Sequence, residues 1–457
     1  MKRNLYHLLG LFVIVSALVS ACGAFEGYGR TKVTWFIGFG LGAQPDHIIL
    51  EKELADEFNR SQNKIWLVLD IAPANSDATK LLKDQIASGN GPDIVGPIGW
   101  GRANAFYGQW LDLKPYLEQY NTSDFDPNLV KLFETDEGNV SMPYAVFPAM
   151  VFYNKGRFDK AGLAYPPAKY GEKYTMPNGT QVEWSWETLS HIARLLTLDK
   201  DGKNTTESSF DPENIVQYGY YPTFQDLPKI GTFWGADRLY EQKDGKTLAR
   251  VPDQWADAWK WYFDGIWGKQ PFIPRGPVVY DQNKSNGNPF NYGILAMTVT
   301  QLWYPSCCLS LLPPDSWDMA AIPSYQGQVH GRVDVDAFRI LKSSKNPDAS
   351  FEVLKYLMGP TTKKMMDTYG GLPIRIESQD VFFDLQKEKF PWVKNWEVVR
   401  AGAAYPDLPP AEGYTPHADE AYPIVLQLGH LMATEKSANV ETEIEKLVAN
   451  LQNIFDK

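Results

Sequence analysis

An alternation of strand-like and helix-like segments near the start of the chain constrains the fold most. Residues 32–37 (KVTWFI) form an apolar, β-rich run, and residues 65–71 form a second one. Between them, over 46–59, apolar residues recur at helical spacing, and a further helical pattern over 78–88 leads to a strand start at 94–95. Strands that alternate with helices in this way predict parallel α/β units.

The rest of the chain continues this mixed pattern, with no tandem repeat and no long low-complexity linker. Extended segments are predicted at 143–153 and 295–300, and helices at 186–196, 252–267, 348–358, 361–369 and 438–455. Ser185 precedes the first of these helices and is predicted to be its N-cap. The length suffices for two or three α/β domains of ordinary size.

The N-terminal segment has the three parts of a secretory signal. Lys2 and Arg3 are followed by an apolar run over 8–18 and then by Val19-Ser20-Ala21-Cys22. The run is shorter than the about 20 residues that a membrane-spanning helix needs. A cysteine directly after small residues resembles the lipobox of bacterial lipoproteins. This resemblance implies a signal over 1–21, a lipid on Cys22 and a tether over 22–31, so that a body outside the cytoplasm is anchored to the bacterial membrane.

The charge and the aromatic content of the chain indicate which kinds of ligand and partner suit it. The formal net charge is −11, which disfavours nucleic acid and anionic lipid. The chain holds 15 Trp, 24 Tyr and 23 Phe, a supply that suits a binding cleft with flat apolar surfaces. Apart from Cys22, Cys307 and Cys308 are the only cysteines, so the chain lacks the disulfide framework of a small secreted domain.

A search for catalytic and metal-binding patterns finds no complete one. The sequence has no G-x-S-x-G, H-E-x-x-H, C-x-x-C or G-x-x-x-x-G-K-[ST] motif. His47 and Glu51 lie one helical turn apart, which a solvated helix face explains. The turn 199–204 (DKDGKN) lacks the full ligand pattern of a calcium loop. We therefore expect no metal and no cofactor. Glycosidases need only two carboxylates across a cleft, so motifs alone leave that activity open.

Seven short motifs occur in one order along the chain. They are GPDIV at 91–95; MPY at 142–144 with FYNK at 152–155 and FDKAGL at 158–163; WSWETL at 184–189; ILAMT at 294–298 with Trp303; AIP at 321–323; Ser343, Lys345 and Asn346; and GLP at 371–373. Together they resemble family 1 of the extracellular solute-binding proteins, the maltose-binding-protein-like receptors of carbohydrate ABC importers. The resemblance extends from residue 32 to the C-terminus.

This resemblance implies a periplasmic-binding-protein-like type II fold, with two α/β lobes and a ligand cleft between them. Three chain crossings are implied near 143–147, 333–338 and 372–375. One lobe would comprise 32–142 and 337–371, and the other 148–336 and 375–457. Ligand that touches both lobes would stabilise a closed form, which a membrane permease would recognise. The resemblance also implies a monomer that binds sugar without chemical change.

The chemistry of sugars suggests which side chains line that cleft. Sugars present hydroxyls at their edges and C–H groups on their faces, so aromatic rings and oriented polar groups together bind them. The aromatic candidates are Trp303, at the family's tryptophan position, Trp100 between two glycines, Trp234, Phe39, Tyr144 and Phe147. For each of them a place in the hydrophobic core is the alternative.

The polar candidates lie mainly in the second and third crossings. Asp334 and Asp336 fall on one face of an extended segment, either to bind ligand or to pair with Arg332 or Arg339. Arg375, directly after the third crossing motif, and Gln44, in the loop after the first strand, are further candidates.

Cys307 and Cys308 follow Trp303 closely in the chain. In an oxidising compartment adjacent cysteines can form a vicinal disulfide, which would give a rigid turn with an apolar face near the sugar. Two buried or reduced thiols are the alternative.

Three functions therefore remain open. The first is a lipid-anchored sugar receptor of an ABC importer. The second is a surface glycoside hydrolase, and the third is a binding protein for a peptide, polyamine or iron. A receptor holds its ligand unchanged at one-to-one stoichiometry, whereas a hydrolase converts it.

Overall fold

The computed structural model of the 457-residue chain describes residues 27, 29–73, 76–135, 137–225, 227–281, 286–359, 362–407 and 412–457. The predicted signal over 1–21, Cys22 and most of the predicted tether lie outside the described residues.

Sixteen strands and seventeen α-helices are present in this part of the chain. The strands are β1 Thr31–Ile37, β2 Ile65–Ile71, β3 Ile94–Gly99, β4 Met142–Asn154, β5 Tyr174–Thr175, β6 Gln181–Val182, β7 Leu198–Asp199, β8 Ile215–Tyr221, β9 Tyr240–Lys243, β10 Lys246–Ala249, β11 Leu295–Gln301, β12 Trp317–Ala320, β13 Ser324–Tyr325, β14 Gln328–Val329, β15 Val333–Ile340 and β16 Leu372–Pro373. The helices are α1 Pro45–Ser61, α2 Ala78–Ala87, α3 Trp100–Ala103, α4 Lys114–Leu117, α5 Pro127–Val130, α6 Lys155–Ala161, α7 Trp186–Leu196, α8 Leu227–Ile230, α9 Asp253–Trp267, α10 Gly276–Val279, α11 Tyr304–Cys307, α12 Pro347–Leu357, α13 Thr362–Tyr369, α14 Ile376–Lys389, α15 Glu397–Gly402, α16 Ala418–Thr434 and α17 Val440–Phe455.

The first sheet half has the order β2-β1-β3-β15-β4. β1 pairs in parallel with β2 and with β3, while β15 enters antiparallel between β3 and β4. Helices α1 and α2 make the connections between the three parallel strands, and the Asp77 carboxylate caps α2 by accepting a hydrogen bond from the Lys80 backbone N–H. The predicted α/β alternation over residues 32–95 is confirmed.

The second sheet half continues from the far end of β4. Residues 149–153 of this 13-residue strand pair antiparallel with β11, which pairs in parallel with β8, and β7 follows β8. β12 lies on the other side of β4. Because one long strand serves both halves, β4 is the element that joins them.

The three predicted crossings lie side by side at the middle of β4. Val146 is opposite Val335 of β15 on one side and opposite Leu372 of β16 on the other. The first two segments lie within strands, and the third begins with the two-residue strand β16. The predicted lobe boundaries, and the role of these strands as a hinge, stay predictions.

The C-terminal helices α16 and α17 pack against α8, α9 and β10, on the side of the second sheet half. Helix α14 instead contacts α13 and β16, so the segment that follows the third crossing begins at the boundary between the two halves. Ser185 caps α7 as predicted, because its Oγ accepts a hydrogen bond from the Thr188 backbone N–H at 3.3 Å.

The prediction of a solvated face for His47 and Glu51 was wrong. Both side chains are buried, since α1 packs against α13. The hydroxyl of Tyr369 donates a hydrogen bond to Glu51 Oε1, and the His47 ring lies edge-on to the Tyr369 ring at 4.7 Å. The spacing of two residues on one helix does not show whether another helix packs against the face that they share.

Two further sequence features have structural outcomes. The carboxylate of Asp199 accepts backbone N–H bonds from Asp201, Lys203 and Asp211, so the turn that faintly resembled a calcium loop is held by hydrogen bonds.

Among the described residues, no group of three His, Cys, Asp or Glu side chains is arranged to hold a metal ion. No described helix has both the length and the apolar character needed to cross a bilayer.

Candidate functional site

A cavity of about 790 Å³ lies between the two sheet halves, beside the crossing strands. Its floor includes Phe147 of β4 with Asp334 and Asp336 of β15. The first half contributes residues at the end of β3 and in α3, and the second half contributes Trp303 with the turn that follows it. The cavity therefore has walls from both halves and a floor made by the strands that join them.

The carboxylates of Asp334 and Asp336 reach the cavity together because alternate residues of a strand point to the same face. Asp334 is paired in register with Phe147, and Asp336 lies between Gly99 of β3 and Ala145 of β4. Gly99 leaves room for this carboxylate, since a Cβ there would lie 3.2 Å from Asp336 Oδ1.

A buried arginine organises the polar groups on one side of the floor. Arg332 Nη2 lies 2.8 Å from Asp334 Oδ1 and 3.0 Å from Glu412 Oε1. Lys229 Nζ lies 2.9 Å from the same Glu412 oxygen, and Arg332 Nη1 donates to Gln225 Oε1 at 2.7 Å. Two cations and two carboxylates from distant parts of the chain therefore form one charge network.

The network sets the charge state of its members. Burial by itself would raise the pKa of Glu412, but the charges of Lys229 and Arg332 outweigh that effect and lower the pKa to about 2. Burial raises the pKa of Asp334, and the positive charge of Arg332 offsets part of this rise. Both paired carboxylates are thus fixed as parts of an ion-pair network.

Asp336 differs from its neighbour. Among the described residues its carboxylate has no hydrogen-bond or ion-pair partner. Burial, followed by the negative charges of Asp334 and Glu412, raises the pKa of Asp336 to about 7. It is therefore a carboxyl group that faces the cavity and receives no hydrogen bond from the described part of the chain.

The wall beside this floor is apolar. The half-buried Trp303 hydrogen-bonds to Asp334 through its side chain, and its ring lies 5.6 Å from that of Phe224. Phe224 is 42% exposed and has a φ of +61°, a left-handed conformation that is unfavourable for a large side chain. Cys307 and Cys308, which are joined by a disulfide, complete this wall, and all four residues line the cavity.

Gln44, a candidate from the loop after β1, also lines the cavity, and its side chain is exposed. The structure thus brings together Trp303, Asp334, Asp336, Phe147 and Gln44. Five other candidates lie elsewhere.

Two of the predicted tryptophans lie in the core instead of the cavity lining. Trp100 donates its indole N–H to the Leu132 carbonyl at 3.1 Å, and the Arg339 guanidinium lies 5.4 Å from its ring. Trp234 stacks on Trp186 with ring centroids 4.6 Å apart. Trp100 was predicted to be a cleft residue because glycines flank it. Gly99 and Gly101 do line the cavity, but Trp100 does not.

Phe39 and Tyr144 are also core residues. Phe39 packs against Phe36 and Phe106 in a separate small cluster of the first half. Tyr144 lies edge-on to Phe338 and is 2% exposed. Phe147 lines the cavity, whereas Tyr144, which lies at an irregularity in the β4–β15 pairing, does not.

Arg375 is not among the residues that line the cavity, and its guanidinium is engaged by Asp124. Its Nη1 lies 2.7 and 2.6 Å from the two oxygens of Asp124, and its guanidinium lies 4.7 Å from the Phe125 ring. The position after the third crossing motif therefore fastens α14 to the loop that precedes α5.

Sequence reasoning missed Phe224, Lys229 and Glu412 as cavity residues. They come from segments without a recognisable motif. Arg332 was considered only as an ion-pair partner of the β15 carboxylates, and its pairing with Asp334 is confirmed.

Residues 412–419, which we call the bridging segment, connect the two halves at the cavity mouth. The Glu412 carboxylate accepts the Gly101 backbone N–H at 3.3 Å, and the Tyr414 ring stacks on Tyr107 at 4.1 Å. Asp419 Oδ2 lies 2.6 Å from Lys83 Nζ. Because the bridging segment leads into α16 on the second half, these contacts link that half to the first.

A two-part α/β body with a cavity at the joining strands is the architecture of a solute-binding protein. The family model for bacterial extracellular solute-binding proteins matches residues 53–398. The chain therefore belongs to the bacterial extracellular solute-binding proteins, and the family and type II fold predicted from the sequence motifs are confirmed.

Individual relatives are distant. The sn-glycerol-3-phosphate-binding periplasmic protein UgpB of Brucella abortus is 25% identical over 264 residues, which are 52% of this chain and 59% of that protein. The match thus spans less than two thirds of UgpB. The substrate-binding protein Lmo0181 of Listeria monocytogenes, solved in complex with cycloalternan, shares the fold with a TM-score of 0.69 at 18% identity, over 93% of this chain and 98% of that one. The sugar-binding protein MalE of Xanthomonas citri gives a TM-score of 0.67 at 17% identity, over the same shares.

Proposed function

We propose that the protein is an extracytoplasmic receptor that captures a saccharide in the cavity between its two halves and delivers it to an ABC permease. The observation that carries this proposal is the meeting of Asp336, Asp334 and Trp303 in one cavity. An unused carboxylate beside an aromatic wall matches the hydroxyl edges and C–H faces of a sugar.

The charges around the cavity favour an uncharged sugar over a phosphorylated ligand. Acidic lining residues outnumber basic ones; they are Asp237, Asp334, Asp336, Glu412 and Asp419, against Arg102, Lys229 and Arg238. Lys229 is already paired with Glu412. Solved proteins of similar fold are described with cycloalternan or as sugar-binding, which supports the same choice, although the relative UgpB is described as binding sn-glycerol-3-phosphate.

Capture would work by closure of the two halves around the ligand. A ligand that contacts the β15 floor, Trp303 on one half and Gln44 on the other stabilises the closed arrangement by its differential affinity. The bridging segment already supplies contacts between the halves at the cavity mouth. The resemblance of residues 19–22 to a lipobox supports the proposed lipid anchor at Cys22. Membership of the solute-binding family supports the proposed permease partner.

Binding without catalysis fits the carboxylates better than glycoside hydrolysis. Glycosidases place two carboxyl groups on opposite sides of the scissile bond, one as acid and one as base or nucleophile. Here Asp334 and Asp336 are two residues apart on one strand face, and Asp334 and Glu412 are both paired with Arg332. Among the described residues of the floor, only Asp336 thus has an unpaired carboxyl group, whereas that mechanism uses two.

Thermal shift against neutral mono- and oligosaccharides, with sn-glycerol-3-phosphate, peptides and iron in parallel, tests the proposal. A saccharide at 100 times its Kd should raise the free energy of unfolding by about 2.7 kcal/mol. Chromatography of the recovered ligand should return it unchanged at one-to-one stoichiometry. Cleaved sugar would indicate a hydrolase, and a shift with only a non-sugar ligand would contradict saccharide binding.

A further inference from the structure

The Cys307–Cys308 disulfide occupies an unusual place for a covalent cross-link. It joins neighbours in the chain, so it ties no distant segments together. Both cysteines line the cavity, and Cys307 is exposed. A cross-link at this position, at the end of α11, therefore contributes little to holding the fold together, and we looked for another role.

The turn that carries the disulfide is supported from the side away from the cavity. Asn288 Nδ2 donates to the Cys308 carbonyl at 2.8 Å, and the Tyr304 hydroxyl donates to Asn288 Oδ1 at 2.5 Å. Asn291 Oδ1 accepts the Leu311 backbone N–H at 2.9 Å. The polar groups of the turn are thus engaged with the body, while the cysteine side chains face the cavity.

The disulfide is continuous with the aromatic wall. Trp303 immediately precedes α11, a helix of four residues that ends at Cys307. Phe224, exposed and in a left-handed conformation, lies against Trp303 and Tyr304. Phe224, Trp303, Cys307 and Cys308 thus form one apolar surface, which we call the apolar wall, next to the carboxylates of β15.

We infer that the Cys307–Cys308 disulfide is itself a ligand-contacting part of the saccharide site. The inference rests on the proposed function and deepens it by assigning a subsite. Sulfur is polarizable and packs well against apolar groups, so the bonded pair offers a fixed surface to the C–H face of a sugar ring. The bond also removes the separate side-chain rotations that two thiols would lose when ligand binds.

The test compares the oxidised and the reduced protein. Calorimetry with maltotriose, mannotriose and cycloalternan first identifies a saccharide that binds the oxidised protein. Reduction by a phosphine converts the disulfide to two thiols, and mass after alkylation verifies the state. We expect the Kd of that saccharide to rise about fivefold on reduction. A Kd that stays within about twofold overturns the inference.

A double variant, C307S/C308S, separates this effect from other actions of the reductant. It should bind the same saccharide as weakly as the reduced protein and should not respond to the phosphine. Should the variant fail to fold, the reduced wild-type protein still supplies the comparison, with its melting temperature measured beside its Kd. A fall in melting temperature alone, with Kd unchanged, identifies a purely structural disulfide and overturns the inference.

A second readout reports contact directly. Saturating saccharide should slow phosphine reduction of the disulfide several-fold, because bound ligand would cover the sulfurs, and an unchanged rate contradicts contact. If none of the saccharides binds the oxidised protein and the wider panel also fails, the proposed function fails and the inference falls with it. A saccharide Kd that is the same for the oxidised and the reduced protein overturns only the assignment of the disulfide to the site and leaves the proposed function intact.

Discussion

The guanidinium of Arg332 lies 2.8 Å from the carboxylate of Asp334, although the Arg332 side chain is only 1% exposed. A buried cation is costly unless it is paired, and here Asp334 and Glu412 together compensate it. The polar floor of the cavity therefore depends on one residue that does not line the cavity itself.

Replacement of Arg332 by Met should destabilise the protein by about 3 kcal/mol, because Asp334 would lose its ion-pair partner and Glu412 would keep only Lys229. Urea unfolding at pH 7 measures the change. Arg400→Met is the matched control, since Arg400 is 40% exposed and pairs with the exposed Asp380, and its loss should cost under about 1 kcal/mol. Equal effects of the two changes would contradict the importance of burial.

Trp303→Ala and Trp234→Ala should have opposite profiles. Trp303 is half-buried in the apolar wall, so its truncation should weaken saccharide binding about tenfold or more with a small loss of stability. Trp234 is 3% exposed and stacked on Trp186, so its truncation should cost about 3–5 kcal/mol and leave the Kd of the remaining folded protein unchanged. Calorimetry and urea unfolding on both variants distinguish the two roles. A loss of affinity in Trp234→Ala alone would show that the wrong ring has been assigned to the site.

Saccharide affinity should depend on pH through Asp336. Its pKa is raised to about 7, and the ionised carboxylate is the form that accepts hydrogen bonds from sugar hydroxyls. The Kd should therefore rise as the pH falls below 7, by about fivefold from pH 7 to pH 6. Asp336→Asn should remove this dependence, whereas Asp56→Asn, an exposed change of equal charge on α1, should keep it. Calorimetry across pH 5.5 to 8.5 measures it, and parallel wild-type and Asp336→Asn curves would refute the assignment.

Glu51 should make the fold less stable as the pH rises, whereas an ordinary ion-paired acid makes a fold less stable as the pH falls. Burial raises its pKa to about 8, above the about 4.3 of an unfolded glutamate. Between these values the folded state keeps a proton that the unfolded state has lost. The free energy of unfolding therefore falls as the pH rises from about 4.5 to about 8, on the order of 3 kcal/mol by pH 7.

Glu51→Gln isolates this contribution, because the amide oxygen can still accept the hydrogen bond from Tyr369. The variant should gain stability relative to the wild-type protein as the pH rises from 5 to 8, as measured by urea unfolding. Glu53→Gln, at an exposed position of the same helix, should run parallel to the wild-type curve. A Glu51→Gln curve that is also parallel would show that Glu51 is ionised in the fold.

Much of the architecture follows from local patterns in the sequence. Apolar, β-rich runs predicted β1 and β2, and helical patterns predicted α7 and α9, all to within a residue or two, because each depends on neighbours in the chain. The alternation along β15 predicted that Asp334 and Asp336 share a face, and the family motifs drew attention to Trp303, which lines the cavity, and to the segments that pair with β4.

Tertiary structure alone decided which of the candidate side chains face the cavity. Trp100 lies in the core, where residues distant in the chain, Leu132 and Arg339, contact its ring, and Arg375 is paired with Asp124. Arg332, Lys229 and Glu412 become one network only when three separate segments meet. A side chain's burial and its partner are properties of packing between distant segments, and no local periodicity encodes them.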